Sequence, residues 1–461
     1  MDTSYLRSLW GRVDPMDYVE AEQAALADHV ATYFMSRRLK YLDVAGIGRH
    51  GGALVFREHD RNNIPRRKII IKYSLSEEAD EDLQNEARCL ELLRGAEHIV
   101  QIIPLAGANL DISGTGRRPT LALEFLSHGT AGSFLHRLNA YGVRIPNRLL
   151  WRILLCCARQ LTAMAYPPQG GPNAPVVSER INPNVAPVGL TQNSCHLNNL
   201  VIGDLTPGSA EHGLAPIFKL IDFGRGRMTD AMGGYEANLF GAGCMILTLA
   251  APDIPAQDLV ADWQSIWNEY ELQVHPNAPE IVMTCAHRAF LDRQDLDPLL
   301  QDLVARMLSH FRDDKPDLAE LVQTCEDAVA NRRVEDFDNN NRLSREAKEM
   351  ESDYWIRELV RVIILDADVA GGPLEHERPI QDTQMGTSLQ GGLAATMGQT
   401  LLPGVGRRPP ARQTERQTLY EGFNRQVNRT RGSRGSQSPT LYERFIRFIN
   451  GMRNTLPGDV D

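Results

Sequence analysis

Residues 46–56 read Gly46-Ile47-Gly48-Arg49-His50-Gly51-Gly52-Ala53-Leu54-Val55-Phe56. Gly46, Gly48 and Gly51 have the G-x-G-x-x-G spacing. Lacking Cβ, such residues let a backbone approach phosphate oxygens with its N–H groups turned inward. A tight hairpin turn accounts for the same glycines equally well. A dinucleotide-binding turn would open a helix, but strand-like residues follow here. The segment therefore reads as a glycine-rich hairpin.

Working outward, Val44, Leu54–Phe56 and Ile69–Ile71 are short apolar runs bounded by Gly and Asn/Pro clusters, which predicts strands. Lys72 ends the last of them. Residues 77–93, EEADEDLQNEARCLELL, predict a helix with acidic residues in its first turn and Glu86 near its middle. Ile99–Ile103 and Leu121–Leu126 read as two more strands. Upstream, Asp14 is an N-cap with Pro15 at the first helical position. The helix to about Arg38 sets Val19, Leu26, Val30, Tyr33 and Phe34 on one face. Downstream, LLWRILLCCARQLTAMA (residues 149–165) is apolar nearly all round, which predicts a buried central helix. A Pro/Gly/Asn-rich loop spans 166–189, and strands follow at Leu200–Ile202 and Phe218–Ile221. Helical periodicity dominates 238–330 and returns near 352–366. Strands with one helix, then mostly helices, make an α+β fold.

Composition narrows the function classes. The 461 residues carry 49 Lys plus Arg against 59 Asp plus Glu, a net charge of −10, so specific nucleic-acid binding is not expected. There are seven cysteines, Cys89, Cys156, Cys157, Cys195, Cys244, Cys285 and Cys325, with no C-x-x-C. That argues against a disulfide framework and a structural zinc site, and for reduced thiols in the cytoplasm or nucleus. Cys195-His196 suggests no metal either, since no further ligand has suitable spacing. No signal peptide and no apolar run of membrane-spanning length is visible, so no membrane is expected. From Gly371 Gly, Gln, Thr, Pro and Arg dominate, which reads as a disordered tail. Residues 400–458 hold eleven Arg against three Glu. A short helix is expected at 440–453.

The motifs together resemble the protein-kinase superfamily, most closely the divergent kinase-like proteins of filamentous fungi. Gly46, Gly48 and Gly51, Lys72 and Glu86 match that family's glycine-rich loop, strand lysine and helix glutamate. Leu220-Ile221-Asp222-Phe223-Gly224 matches D-F-G at a strand end, and Asn199-Leu200-Val201-Ile202 the catalytic-loop asparagine and its strand. Asn238-Leu239-Phe240-Gly241-Ala242-Gly243 is similar to D-x-W-S-x-G at the start of the family's central helix. Glu124-Phe125-Leu126 falls at the hinge, with Leu123 as gatekeeper. The resemblance implies a two-lobed fold that binds ATP through Gly46, Gly48, Gly51, Lys72, Glu86, Glu124 and Leu126. It also implies Mg2+ held by Asn199 and Asp222. It covers residues 40–369, with a small lobe at 40–126 and a large lobe at 127–369. A helical extension (1–39) precedes it and the Arg-rich tail (370–461) follows.

The departures bear on activity. Where the family reads H-R-D-x-x-x-x-N, this chain reads Gln192-Asn193-Ser194-Cys195-His196-Leu197-Asn198-Asn199. Ser194 stands at the catalytic-aspartate position, and a hydroxyl does not accept a substrate proton as a carboxylate does. Asn193 stands at the arginine position, and Asn238 replaces the aspartate that braces the loop. No A-P-E lies between Asp222 and Asn238, a segment too short for an activation loop. Lys315 stands where the family has the arginine that pairs with the A-P-E glutamate. The resemblance thus implies a pseudokinase that works by binding a protein partner. Two other readings stand beside it. One is an active or weakly active serine/threonine kinase, and the other a kinase-fold phosphotransferase for small molecules.

Overall fold

The structure is a computed structural model. It describes residues 18–36, 38–47, 51–105, 119–171, 174–252, 254, 266–274, 280–338 and 343–367. The expectations on Asp14, Pro15 and the tail from 370 on, with its helix at 440–453, lie outside the described residues, as does the side chain of Val19.

The chain is α+β. Helix α1 (Tyr18–Phe34) leads into β1 (Leu39–Ile47), β2 (Gly51–His59) and β3 (Pro65–Ser74). After α2 (Glu77–Leu92), β4 (Thr120–Glu124) completes a four-stranded antiparallel sheet in the order β1-β2-β3-β4. Its register sets Ala53 opposite Lys72, Lys72 opposite Leu121, and Phe56 opposite Ile69. Because side chains alternate along a strand, each face is specified by every second residue. Leu54, Phe56, Ile69, Ile71, Tyr73 and Ala122 share one buried cluster with Ala27, Val30, Ala31 and Phe34 of α1. Phe34 meets Phe56 edge-on at 6.2 Å. The other face presents Leu121 and Leu123 to α2 and the helices beyond.

The apolar stripe of α1 runs one step from where the sequence puts it. Val30 and Phe34 are buried as expected, but Ala27 and Ala31 complete the stripe while Tyr33 is 40% exposed. Tyr33 lies at the margin, its ring edge-on to Phe34. Ile99–Ile103 is not a strand. It makes single bridges from Ile99 to Leu220 and from Ile102 to Leu123. The amide of Gln101 donates to the carbonyls of Ala96 and Ile99, and those bonds hold the run as an irregular buried crossing.

The helical half follows α3 (Ala131–Tyr141). Helix α4 (Asn147–Ala165) is buried on all sides, as its composition requires. Strand β5 (Gly189–Thr191) precedes the antiparallel pair β6 (Leu200–Ile202) and β7 (Phe218–Leu220). Strand β8 (Arg227–Thr229) turns back to pair with β5. Helix α5 (Ala231–Ala250) starts after its cap Asp230, eight residues before Asn238, so Asn238 lies two turns inside it. The 238–330 region is also not continuously helical. An antiparallel pair, β9 (Asn268–Glu271) and β10 (Ile281–Thr284), interrupts it. Short apolar runs such as 281–284 do not distinguish strand from helix by periodicity. The remaining helices are α6 (Arg288–Leu291), α7 (Pro298–Met307), α8 (Leu318–Asn331), α9 (Val334–Asp338), α10 (Arg345–Met350) and α11 (Asp353–Val360). The last continues into a π-helical turn over Arg361–Leu365. α4 packs against α5 and α8, and their core runs on into Leu83 and Leu90 of α2. Among the described residues, no helix is long and apolar enough to cross a membrane.

Candidate functional site

Lys72 leaves β3 on the face that α2 covers. Ser76 caps α2 by accepting from the Ala79 N–H, which fixes where the helix begins. Glu86, three turns in, then lies against the strand. Lys72 Nζ donates to Glu86 Oε2 at 2.6 Å and to Asp222 Oδ1 at 2.8 Å. Exposure is graded along this line. The Glu86 side chain is 1% exposed, that of Lys72 23%, and that of Asp222 41%. Burial works against the Lys72 charge, but Glu86 and Asp222 overcome it and raise its pKa above the ordinary lysine value. Lys72 holds the Asp222 carboxyl below its usual range, against burial. Burial pushes Glu86 up, and the Lys72 cation opposes it.

Asp222 reaches this position by a costly backbone. Its φ of 63° is in the left-handed region, unusual for a residue with a Cβ. Three neighbours hold the turn. Gln192, fully buried, donates through Nε2 to the carbonyls of Ile221 and Asp222 at 3.1 and 2.8 Å. Phe223 is fully buried. Asn85, just before Glu86, donates through Nδ2 to the carbonyls of Gly224 and Gly226 at 2.9 and 2.8 Å. One helix therefore sets both the Lys72 partner and the turn that carries Asp222.

The loop from 192 to 199 is built around Ser194. Its N–H donates to Gln192 Oε1 at 2.6 Å. Asn199 Nδ2 donates to the Ser194 carbonyl at 2.9 Å and to its hydroxyl at 3.1 Å. With its amide nitrogen so used, Asn199 has Oδ1 as the atom that could hold a metal. Asn238 braces the loop from α5. Its Oδ1 accepts from the Gln192 N–H at 3.1 Å and its Nδ2 donates to the Leu190 carbonyl at 2.8 Å. Asn193, also left-handed at φ 59°, donates to the Arg225 carbonyl at 3.0 Å. The segment between Asp222 and Asn238 holds little loop, because β8 and the first turns of α5 occupy most of it. Lys315 caps the short turn Arg312–Asp314, and it is Arg312 that pairs with Glu236 of α5.

The remaining predicted residues differ in what the structure gives them. Gly48 lies outside the described residues. Gly46 faces open space, with nothing within 4 Å of an added Cβ. Gly51 has a packing reason for its missing side chain, since a Cβ would lie 2.8 Å from the Tyr73 carbonyl oxygen. Glu124 is taken up structurally. Its Oε1 accepts both from Lys219 Nζ at 2.8 Å and from the Gln101 N–H at 2.9 Å, which ties the carboxylate to the neighbouring segments. Leu126 is half-buried beside Gly203.

Sequence reasoning missed Asn85, Gln192 and Lys219. Gln192 was in view as the first position of the altered loop motif. Nothing in the pattern around Asn85 or Lys219 marks them. No protein-family model matches the chain, and no curated protein matches it.

Proposed function

We propose that this chain is a two-lobed protein-kinase-like protein that binds Mg-ATP and acts as a pseudokinase through a protein partner. The observation that carries this reading is Lys72 Nζ between Glu86 and Asp222, at 2.6 and 2.8 Å. A cation fixed by a buried carboxylate, beside a second carboxylate open to solvent, suits a polyphosphate with its metal. In this reading the sheet with α1 and α2 forms the small lobe, and the helices from α3 onward form the large lobe. Asp222 and Asn199 Oδ1 would hold magnesium, an all-oxygen donor set of the kind that ion takes. The chemistry supplied there would be neutralisation of phosphate charge. Lys72 would orient them, Glu86 would keep Lys72 in place, and Gln192 and Asn85 would keep Asp222 in place.

The loss of transfer rests on Ser194. Its hydroxyl stands in the position of the base and is itself engaged by Asn199. No carboxylate occurs between Gln192 and Asn199 to accept the proton of an acceptor hydroxyl. The pairing of β8 with β5 also leaves little chain for a peptide platform. His196 is the one titratable imidazole on the loop, so weak serine/threonine transfer is the second reading.

Thermal unfolding with and without Mg-ATP, beside an autophosphorylation assay, tests both. ATP at about 100 times its Kd adds roughly 2.7 kcal/mol. A shift without phosphorylation supports the pseudokinase, and a shift with phosphorylation abolished by Asp222→Ala promotes the second reading. No shift at millimolar Mg-ATP removes both.

A further inference from the structure

His98, Cys156 and His212 come from three separated parts of the chain. His98 follows α2, Cys156 lies in the middle of α4, and His212 lies between β6 and β7. Their ligand atoms all fall within 4.8 Å of one another. All three residues are buried, at 0%, 1% and 5% exposure. We propose that they form a structural zinc site, with His98 Nε2, Cys156 Sγ and His212 Nε2 as ligands.

The two imidazole Nε2 atoms face each other at 3.1 Å. Two nitrogens about 2.0–2.1 Å from one ion and 3.1 Å apart subtend roughly 100° there, close to tetrahedral. The remaining ring nitrogen of His98 is set as in many zinc sites. Its Nδ1 lies 2.6 Å from Glu179 Oε2, and Glu179 Oε1 accepts the His98 backbone N–H at 2.7 Å. A carboxylate behind a ligating histidine fixes its tautomer and orients Nε2. Glu179 is 4% exposed, so this orienting pair is built into the interior. The Cys156 thiol also lies within hydrogen-bonding reach of His98, so the three side chains converge on one point.

Two imidazoles and a thiolate are a borderline-soft set that suits zinc rather than magnesium or calcium. On binding, the Cys156 thiol gives its proton to solvent and its sulfur ligates as thiolate. The three side chains fill three positions of a tetrahedral ion. The ion would tie the turn after α2 to α4 and to the β6–β7 loop. It shares no residue with the Lys72–Glu86–Asp222 group and depends on none of the nucleotide chemistry.

Elemental analysis of the purified full-length chain should give one zinc per chain. The chelator-treated full chain, titrated with Co2+, should saturate at one equivalent with the visible bands of tetrahedral cobalt and a thiolate charge-transfer band. Cys156→Ser should remove the charge-transfer band, and Cys157→Ser should retain it. Glu179→Gln should weaken affinity about 10–100-fold. The absence of a saturable one-equivalent cobalt signal in the wild-type chain overturns the site, whatever the variants do. So does a charge-transfer band unchanged in Cys156→Ser.

Discussion

Lys72 Nζ lies 2.6 Å from Glu86 Oε2, and that carboxylate is almost wholly buried. Removing one member of such a pair leaves an uncompensated interior charge, which costs about 3–5 kcal/mol, whereas replacing both by apolar groups is far milder. Lys72→Met should therefore lower stability by roughly that amount in urea unfolding. The double variant Lys72→Met/Glu86→Leu should recover most of the loss. A double variant no more stable than Lys72→Met would show that the two residues are not energetically coupled.

Asn85 holds the turn after Asp222 from the side of α2. Asn85→Ala strands the carbonyls of Gly224 and Gly226, at a cost of about 1–3 kcal/mol. Amide hydrogen exchange over 223–227 should quicken more than exchange in α4. The Mg-ATP thermal shift should shrink with it, because Asp222 loses its fixed placement. Unchanged exchange in the turn would mean that Gln192 and Phe223 suffice.

Ser194→Asp places a carboxylate within reach of Asn199. Residues that act as a unit are non-additive, and neither the arginine position nor a peptide platform is restored with it. ATP hydrolysis should rise slightly at most, with no peptide phosphorylation in a radiolabel assay. Robust peptide phosphorylation by this single variant would show that the base alone was missing.

Glu351 provides a pH-dependent element at the start of α4. It accepts from the N–H groups of Asn147 and Arg148 and from Asn147 Nδ2. Burial nevertheless pushes its carboxyl from the ordinary 4.5 up to about 7. Between those values the folded chain holds a proton that the unfolded chain has released, so stability falls as pH rises from about 4.5 to about 7. Below 4.5 both states are protonated and this contribution is flat. Glu351→Gln should flatten the slope of melting temperature against pH across that window. A slope identical to wild type would assign it to other groups.

The α+β class was legible because apolar spacing reports strand and helix locally. The burial of α4 followed from its unbroken apolar circumference. Lys72 and Glu86 were legible as a pair because strand, turn and helix are contiguous, only fourteen residues apart. Asn85 was not, since its partners are carbonyls that any residue could present. β9 and β10 were not, since four-residue runs carry no decisive period. The cluster of His98, Cys156 and His212 escaped for a similar reason. Short ligand spacings mark zinc sites in sequence, whereas here one ligand comes from each of three distant segments. The argument from absent C-x-x-C had no purchase on such a site.

The two faces of the four-stranded sheet also differ in when they can close. Every member of the outer cluster except Ile103 and Ala122 lies between Ala27 and Tyr73. That face, with α1 laid over it, is assembled almost wholly from chain that leaves the ribosome before the helical half does. Contacts between near neighbours in sequence carry a small loop-closure cost and form fast. The inner face waits much longer, because the Lys72–Asp222 contact spans 150 residues. During synthesis a sheet sealed on one side by α1 would thus have only α2 over its other face until β7 is made. That interval is where the nascent chain is most open to misassociation, and α1 covers one apolar face of the sheet throughout it.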